Sequence, residues 1–417
     1  MRAFLALMMH YEHMNTNKIK QIFLRLMNEL SILAPRDQPK ESRLLDHSLI
    51  VHGRLLLEGV GADHFTDALE EVCAEVLPDG TWSRGSVTDL LAECVANVAS
   101  ASSDERQGAI RAESVNLAEK LKALPLDWEV EFSIGGMLPD CNGFTFGRMH
   151  FASSTVKLPV PMPGLTDADG SVTSIFVKVK VRAIDQVSAI AIAESDLDQQ
   201  LSVLNALCAQ SPPSLFRIHR GQPENPFRYQ VIRANKVREV NPSTRFGSRR
   251  IGVEISRSGL EAQLKARRGD LVSSFLERRD SFAERLMSGY AIAGAGCVER
   301  QPQLSFLLFA IALESTILGS QTNMEITYQL SSRVAHLLTK DIGRRRALAK
   351  EVSELYRLRS KVVHSGEDQI AKSDLIRIWQ FCMLALSAIA TRPEFGDMST
   401  AEELDRWFED RMLGSPE

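Results

Sequence analysis

Leu355-Tyr356-Arg357-Leu358-Arg359-Ser360-Lys361-Val362-Val363-His364-Ser365-Gly366 decides how the C-terminal third of this chain is read. Positions three, four and seven apart share one side of a helix, so Arg359 falls on the same face as Val352, Leu355 and Tyr356. Gly366 is placed to end that helix. An arginine on an apolar face is either neutralised in a core or presented into a cleft or interface. His364 falls in the last turn, where unpaired carbonyls and the helix dipole favour a cation. A protonatable histidine beside a permanent guanidinium suits phosphodiester cleavage without a metal. The imidazole moves protons on and off the 2′-hydroxyl or the leaving oxygen, and the guanidinium stabilises charge on the phosphoryl oxygens. Five residues turn an ideal helix through about 140°, so one protomer presents this pair poorly. A two-fold dimer brings two such helices to a shared cleft.

Working outward, Leu304–Leu318 is a strongly periodic apolar run in which Glu314 is the one acid. A carboxylate there needs a partner if it is buried, and Arg359 and Arg333 are the candidates. Periodic segments at Leu271–Tyr290, Thr327–Thr339, Arg344–His364 and Ser373–Ala390 complete a bundle of about five helices over 263–417. Thr400–Met412 reads as a capped tail helix. Ala291-Ile292-Ala293-Gly294-Ala295-Gly296 reads as a link between helices; with no strand before it and no Lys-Ser/Thr after it, it is no phosphate cradle.

Residues 1–124 read as a helical region. Ile19, Ile22, Phe23, Leu26, Met27 and Leu30 have helical spacing, and further helices are expected at Leu44–Leu57, Ala68–Val76, Val87–Val98 and Arg106–Leu124. At Pro125 the period becomes two. Trp128, Val130, Phe132 and Ile134 alternate with Glu129, Glu131 and Ser133, which predicts a half-buried strand. A second strand is expected over Phe144–Phe151 and a third over Ile175–Ala183. Asp185 then caps a helix running to Cys208, and Phe216–Val240 returns to strand-like patterning. Residues 125–262 therefore read as a mixed α+β module with a mainly antiparallel sheet.

With 44% hydrophobic and 24% charged residues, the chain is neither fibrous nor disordered. Its net charge of −4 excludes a global positive field, and 6% aromatics excludes a large base-stacking platform. The total hides polarity. Residues 1–124 carry 13 basic against 18 acidic side chains, whereas 245–285 and 341–364 each carry a local +4. The second basic segment includes Arg344-Arg345-Arg346. Such runs are commonly solvated faces; beside the bundle they also make Arg344, Arg345, Arg346 and Lys361 candidates for an RNA backbone. Six scattered cysteines read as reduced core thiols. His10-x-x-His13 and His47-x4-His52 lack further ligands, so no metal site is expected. Met1–Met9 is like the opening of a signal peptide, but no cleavage site follows. No membrane span is expected, and a cytoplasmic location is.

The Arg359-x4-His364 pair after Leu355-Tyr356, on a helical bundle opening with Ala310-Ile311-Ala312-Leu313-Glu314, resembles a HEPN domain of the Apea-like type over roughly 290–395. The middle zone, notably Val177–Asp185, is similar to sensor-like regions that precede such domains. The resemblance implies an α+β multidomain chain ending in an all-α bundle that dimerises. It implies a metal-independent endoribonuclease, without cofactor, of antiphage or toxin-like defence. Arg359 and His364 would then be catalytic, Ser360, Tyr356 and Glu314 supporting, and the partners an RNA (tRNA or mRNA), a second copy and a phage or cellular trigger. The family's best-characterised nucleases commonly carry Asn, Asp or His after the arginine; here it is Ser360. Some members only dimerise or bind nucleotides, so a non-catalytic module in a sensor or scaffold is the alternative.

Overall fold

A computed structural model describes residues 16–30, 48–51, 55–58, 60–76, 82–102, 104–122, 125–157, 171–220, 229–234, 237–242, 254–318, 326–365 and 369–414. Met1–Met9, His10, His13, His47, His52 and Gly366 lie outside the described residues. The chain is predominantly helical, with a sheet in its middle region.

In order, the elements are α1 (Thr16–Leu30), β1 (Ser48–Val51), β2 (Leu55–Glu58), α2 (Val60–Val76), α3 (Arg84–Ala99), α4 (Arg106–Leu121) and β3 (Leu126–Gly135). There follow β4 (Thr145–Phe146), β5 (Met149–Lys157), β6 (Ser171–Ala183), α5 (Gln186–Cys208), β7 (His219–Arg220), β8 (Tyr229–Ala234) and β9 (Val237–Pro242). The C-terminal part holds α6 (Arg257–Ala266), α7 (Gly269–Phe275), α8 (Ser281–Val298), α9 (Pro302–Ile317) and α10 (Ile326–Leu338). It closes with α11 (Ile342–Ser365), α12 (Lys372–Thr391), α13 (Pro393–Gly396) and α14 (Ala401–Met412). Contacts divide the chain into two compact units, one of Met1–Val130, Lys180–Glu194 and Ile232–Glu239, the other of Glu131–Val179, Ser195–Val231 and Val240–Glu417.

In the first unit all six apolar residues predicted from the spacing in α1 are buried, each contributing roughly 1.5–3 kcal/mol. They join Phe65 and Val72 of α2, Leu91 and Val95 of α3, and Leu117 and Leu121 of α4 in one core. The helix expected over Leu44–Leu57 is instead an antiparallel pair, with Ile50 opposite Leu56 and Val51 opposite Leu55. Its consecutive apolar runs do not by themselves decide between helix and strand, and β-branched Ile50 and Val51 favour extended backbone. Asp185 caps α5 as expected, its Oδ1 accepting from the Ser188 amide at 2.7 Å. That same oxygen accepts from Ser86 Oγ at 3.0 Å, near the start of α3.

The main sheet runs β4-β5-β6-β3-β8-β9, with β7 also on β3. The pairs β4–β5, β5–β6 and β3–β7 are antiparallel. Phe144–Phe151 is not one strand. It folds back between Phe146 and Met149, which pair directly, because Gly147 takes φ +53°, a left-handed conformation that favours glycine. The neighbouring Arg148 fastens the turn within the second unit, ion-pairing with Asp196 and donating to the Leu276 carbonyl at 2.6 Å.

The rest of the second unit is a helical bundle around α12, which is apolar because neighbours surround it. It is long and apolar enough to cross a membrane by length and composition, and 61% of that stretch is buried inside the bundle. Two expectations fail here. Leu271–Tyr290 is broken between α7 and α8, where Asp280 Oδ1 accepts the Ala283 amide at 2.9 Å and starts a new helix. Ala291–Gly296 is no link but lies inside α8. A Cβ on Gly294 would stand 1.7 Å from the Ser202 carbonyl oxygen of α5, so the missing side chain lets two backbones touch. The tail helix α14 carries the full capping box of Thr400 and Glu403.

Candidate active site

Two helices build the site. The apolar residues of α9 seat it in the bundle and leave Glu314 at its last turns, partly exposed. Helix α11 buries Val352, Leu355 and Tyr356, and one turn further the same face carries Arg359 out of the core.

Tyr356 is buried and its hydroxyl donates to the Ala310 carbonyl at 2.8 Å. This fixes the turn from which Arg359 projects. Arg359 Nε stands 3.4 Å from Glu314 Oε1, and its Nη2 3.5 Å from Oε2. The pair is in electrostatic contact but loosely hydrogen-bonded, and Arg359 Nε is buried with no hydrogen-bond acceptor among the described residues. Burial pushes the Glu314 carboxyl above its usual range, outweighing the opposing pull of Arg359 and of the Tyr356 hydroxyl. Burial, then the nearby Glu314 charge, holds the Tyr356 phenol well above its ordinary value.

Of the two candidate partners for Glu314, the structure selects Arg359. Arg333 is buried elsewhere, donating to the Ile317 carbonyl at 2.9 Å and to Asp405 Oδ1 at 2.9 Å. Asp405 also takes both terminal nitrogens of Arg285, at 3.0 and 3.1 Å.

His364 is exposed in the last turn of α11, about 140° around the helix from Arg359. Ser360 and Lys361 are exposed as well. The structure thus gathers Tyr356, Arg359 and Glu314 and leaves His364, Ser360 and Lys361 on the outer surface. Arg344, Arg345 and Arg346 occupy the opposite end of α11, about 27–30 Å from His364 at 1.5 Å per residue. Asp341 Oδ1 accepts the Arg344 amide at 2.7 Å, and Arg345 Nε donates to the Thr339 carbonyl at 2.9 Å.

The basic segment 245–285 is largely committed to structure where it is described. Arg257 pairs with Glu261, Arg268 with Asp270, Arg278 with Asp280 and Arg285 with Asp405. Sequence reasoning passed over His336 of α10, whose Nδ1 is buried without a hydrogen-bond partner among the described residues. Burial, then Arg345 and Arg411, pushes its pKa below the ordinary value. It also passed over Lys350 and Arg357, exposed residues of α11 whose signal was their helical spacing. No group of three or more His, Cys, Asp or Glu suited to a metal occurs among the described residues.

In comparisons with known proteins, no family model, no curated protein and no solved structure matches this chain.

Proposed function

We propose that this chain is a metal-independent endoribonuclease of the HEPN type, a cytoplasmic effector of antiphage or toxin-like defence that works as a homodimer through its C-terminal bundle. The observation that carries the reading is the end of α11. An arginine emerges from the core there, steadied by Glu314, and an exposed histidine follows five residues on. His364 takes the proton of a ribose 2′-hydroxyl or returns one to the leaving 5′ oxygen. The 2′ oxygen bonds to phosphorus as the phosphorus–5′-oxygen bond breaks, leaving a cyclic phosphate and a 5′-hydroxyl. Arg359 stabilises the charge that builds on the phosphoryl oxygens. The angle between the two side chains is the reason for a second copy, whose α11 supplies the complementary residue across a shared cleft. The N-terminal region would sense a phage or cellular trigger.

A second reading is favoured by the ion pair itself. Arg359 bound to Glu314 ties α9 to α11, which is what a non-catalytic dimerisation or RNA-binding module requires. Expression of the wild type beside Arg359→Ala/His364→Ala, with mapping of cellular RNA ends, separates the two. New ends made by the wild type alone, and persisting in lysate with excess EDTA, support the nuclease. Identical end maps remove it.

A further inference from the structure

Arg346, Lys350, Glu354, Arg357, Lys361 and His364 follow one another at intervals of four, four, three, four and three residues, and every one is exposed. At 100° per residue they fall within an arc of about 80°, and at 1.5 Å per residue they extend over about 27 Å. The buried residues Val352, Leu355 and Tyr356 lie on the other side of the same helix. α11 is therefore two-faced: one side is core, the other a straight file of positive groups interrupted by one acid.

Four other arginines of the bundle set the contrast. Arg285 and Arg333 share Asp405, Arg278 holds Asp280, and Arg377 holds Glu351. Among the described residues, Arg346, Lys350, Arg357 and Lys361 are held in no ion pair. Glu354, one turn from both Lys350 and Arg357, pairs with neither. Four cations at regular spacing, uncommitted to the fold, favour a ligand with regularly spaced negative charge. The file carries no apolar side chain, which a helix lying on a membrane needs for insertion.

We infer that the outward face of α11 is a track for the phosphate backbone of single-stranded RNA, running along the helix to His364. It rests on the RNA-directed reading above but not on cleavage. Arg346 with Lys350 and Arg357 with Lys361 make two cationic clamps, and Glu354 between them repels phosphate and limits affinity. Arg344 and Arg345 point off the file.

The test uses the full chain carrying His364→Ala, which leaves the probe intact, and a labelled single-stranded RNA of mixed sequence. Four contacts give a slope of log affinity against log salt of about −2.8, or about 50-fold weaker binding from 50 to 200 mM. Arg357→Glu/Lys361→Glu should halve that slope to about −1.4, and Glu354→Gln should tighten binding at low salt. Retention of the wild-type slope by the reversal variant overturns the track, as does weaker or unchanged binding by Glu354→Gln. Charge-dependent binding to phosphatidylserine vesicles in place of RNA overturns it too. A wild-type chain that binds RNA with this slope but cuts none leaves the track standing and removes only the nuclease.

Discussion

Arg359 Nε lies 3.4 Å from Glu314 Oε1, and the acid is the more buried partner, 22% exposed against 30%. Because burial outweighs the attraction, the folded protein holds the Glu314 proton more tightly than the unfolded chain does. The stability this group contributes is complete below its usual pKa of 4.5 and is lost as pH rises through the raised folded value. Glu314→Gln removes that titration. Urea midpoints across this range should therefore decline less steeply in the variant than in the wild type; parallel profiles would contradict the assignment.

Removal of His364 separates chemistry from folding. The side chain is exposed at a helix end, so His364→Ala should shift stability by no more than about 0.5 kcal/mol. Single-turnover RNA cleavage should fall about 10²–10⁴-fold, the usual contribution of a general acid or base. Arg359→Ala should lose cleavage as well, and should destabilise by on the order of 1 kcal/mol because it strips Glu314 of its cation. Thermal melts run beside the cleavage assay separate the two effects.

Asp405 holds two arginine side chains that are 10% and 7% exposed, those of Arg285 and Arg333. Asp405→Ala leaves both charges without a carboxylate, which typically costs about 3–5 kcal/mol. α14 should then open first. Limited proteolysis within 401–412, preceding global unfolding, is the expected signature, and a wild-type digestion pattern would refute it.

Gly294→Ala should be among the most damaging single-carbon changes in the bundle. The new methyl would meet a backbone oxygen, which cannot swing aside as a side chain can. Overpacking of this kind costs typically 1–3 kcal/mol. Gly108→Ala, in α4 with open space around it, should be neutral or stabilising by comparison, Ala being the better helix former. Equal melting temperatures for the two variants would count against close α5–α8 contact.

Much of the fold was legible in local period. The six apolar residues of α1 and Val130, Phe132 and Ile134 of β3 meet a core, so their spacing carries the answer, although Ser133, expected on the open side of β3, is buried as well and Trp128 only half-buried. β1 and β2 were not legible, because short apolar runs such as Leu49–Val51 fit helix or strand alike until their pairing is known. The end of α7 was hidden because the apolar spacing of Leu271–Tyr290 continues past Asp280, whose capping role depends on backbone geometry. In the site, the contact of Glu314 with Arg359 could be anticipated because Glu314 is the one acid in its run. The true partner of Arg333 could not: Asp405 is 72 residues away on the tail helix. Lys350 and Arg357 were visible as spacing, but only the burial of the opposite face gives that spacing meaning.

All six cysteines are buried, and for Cys94, Cys141, Cys208 and Cys297 burial pushes the thiol up to about 12. A thiol in that state is almost inert to alkylation near neutral pH and becomes reactive once it is exposed to water. The protein therefore carries its own clock of opening. Cys73 and Cys94 belong to one compact unit, and Cys141, Cys208, Cys297 and Cys382 to the other. Timed iodoacetamide labelling read peptide by peptide thus gives two separate opening rates from one unmodified chain, with no fluorophore and no engineered site.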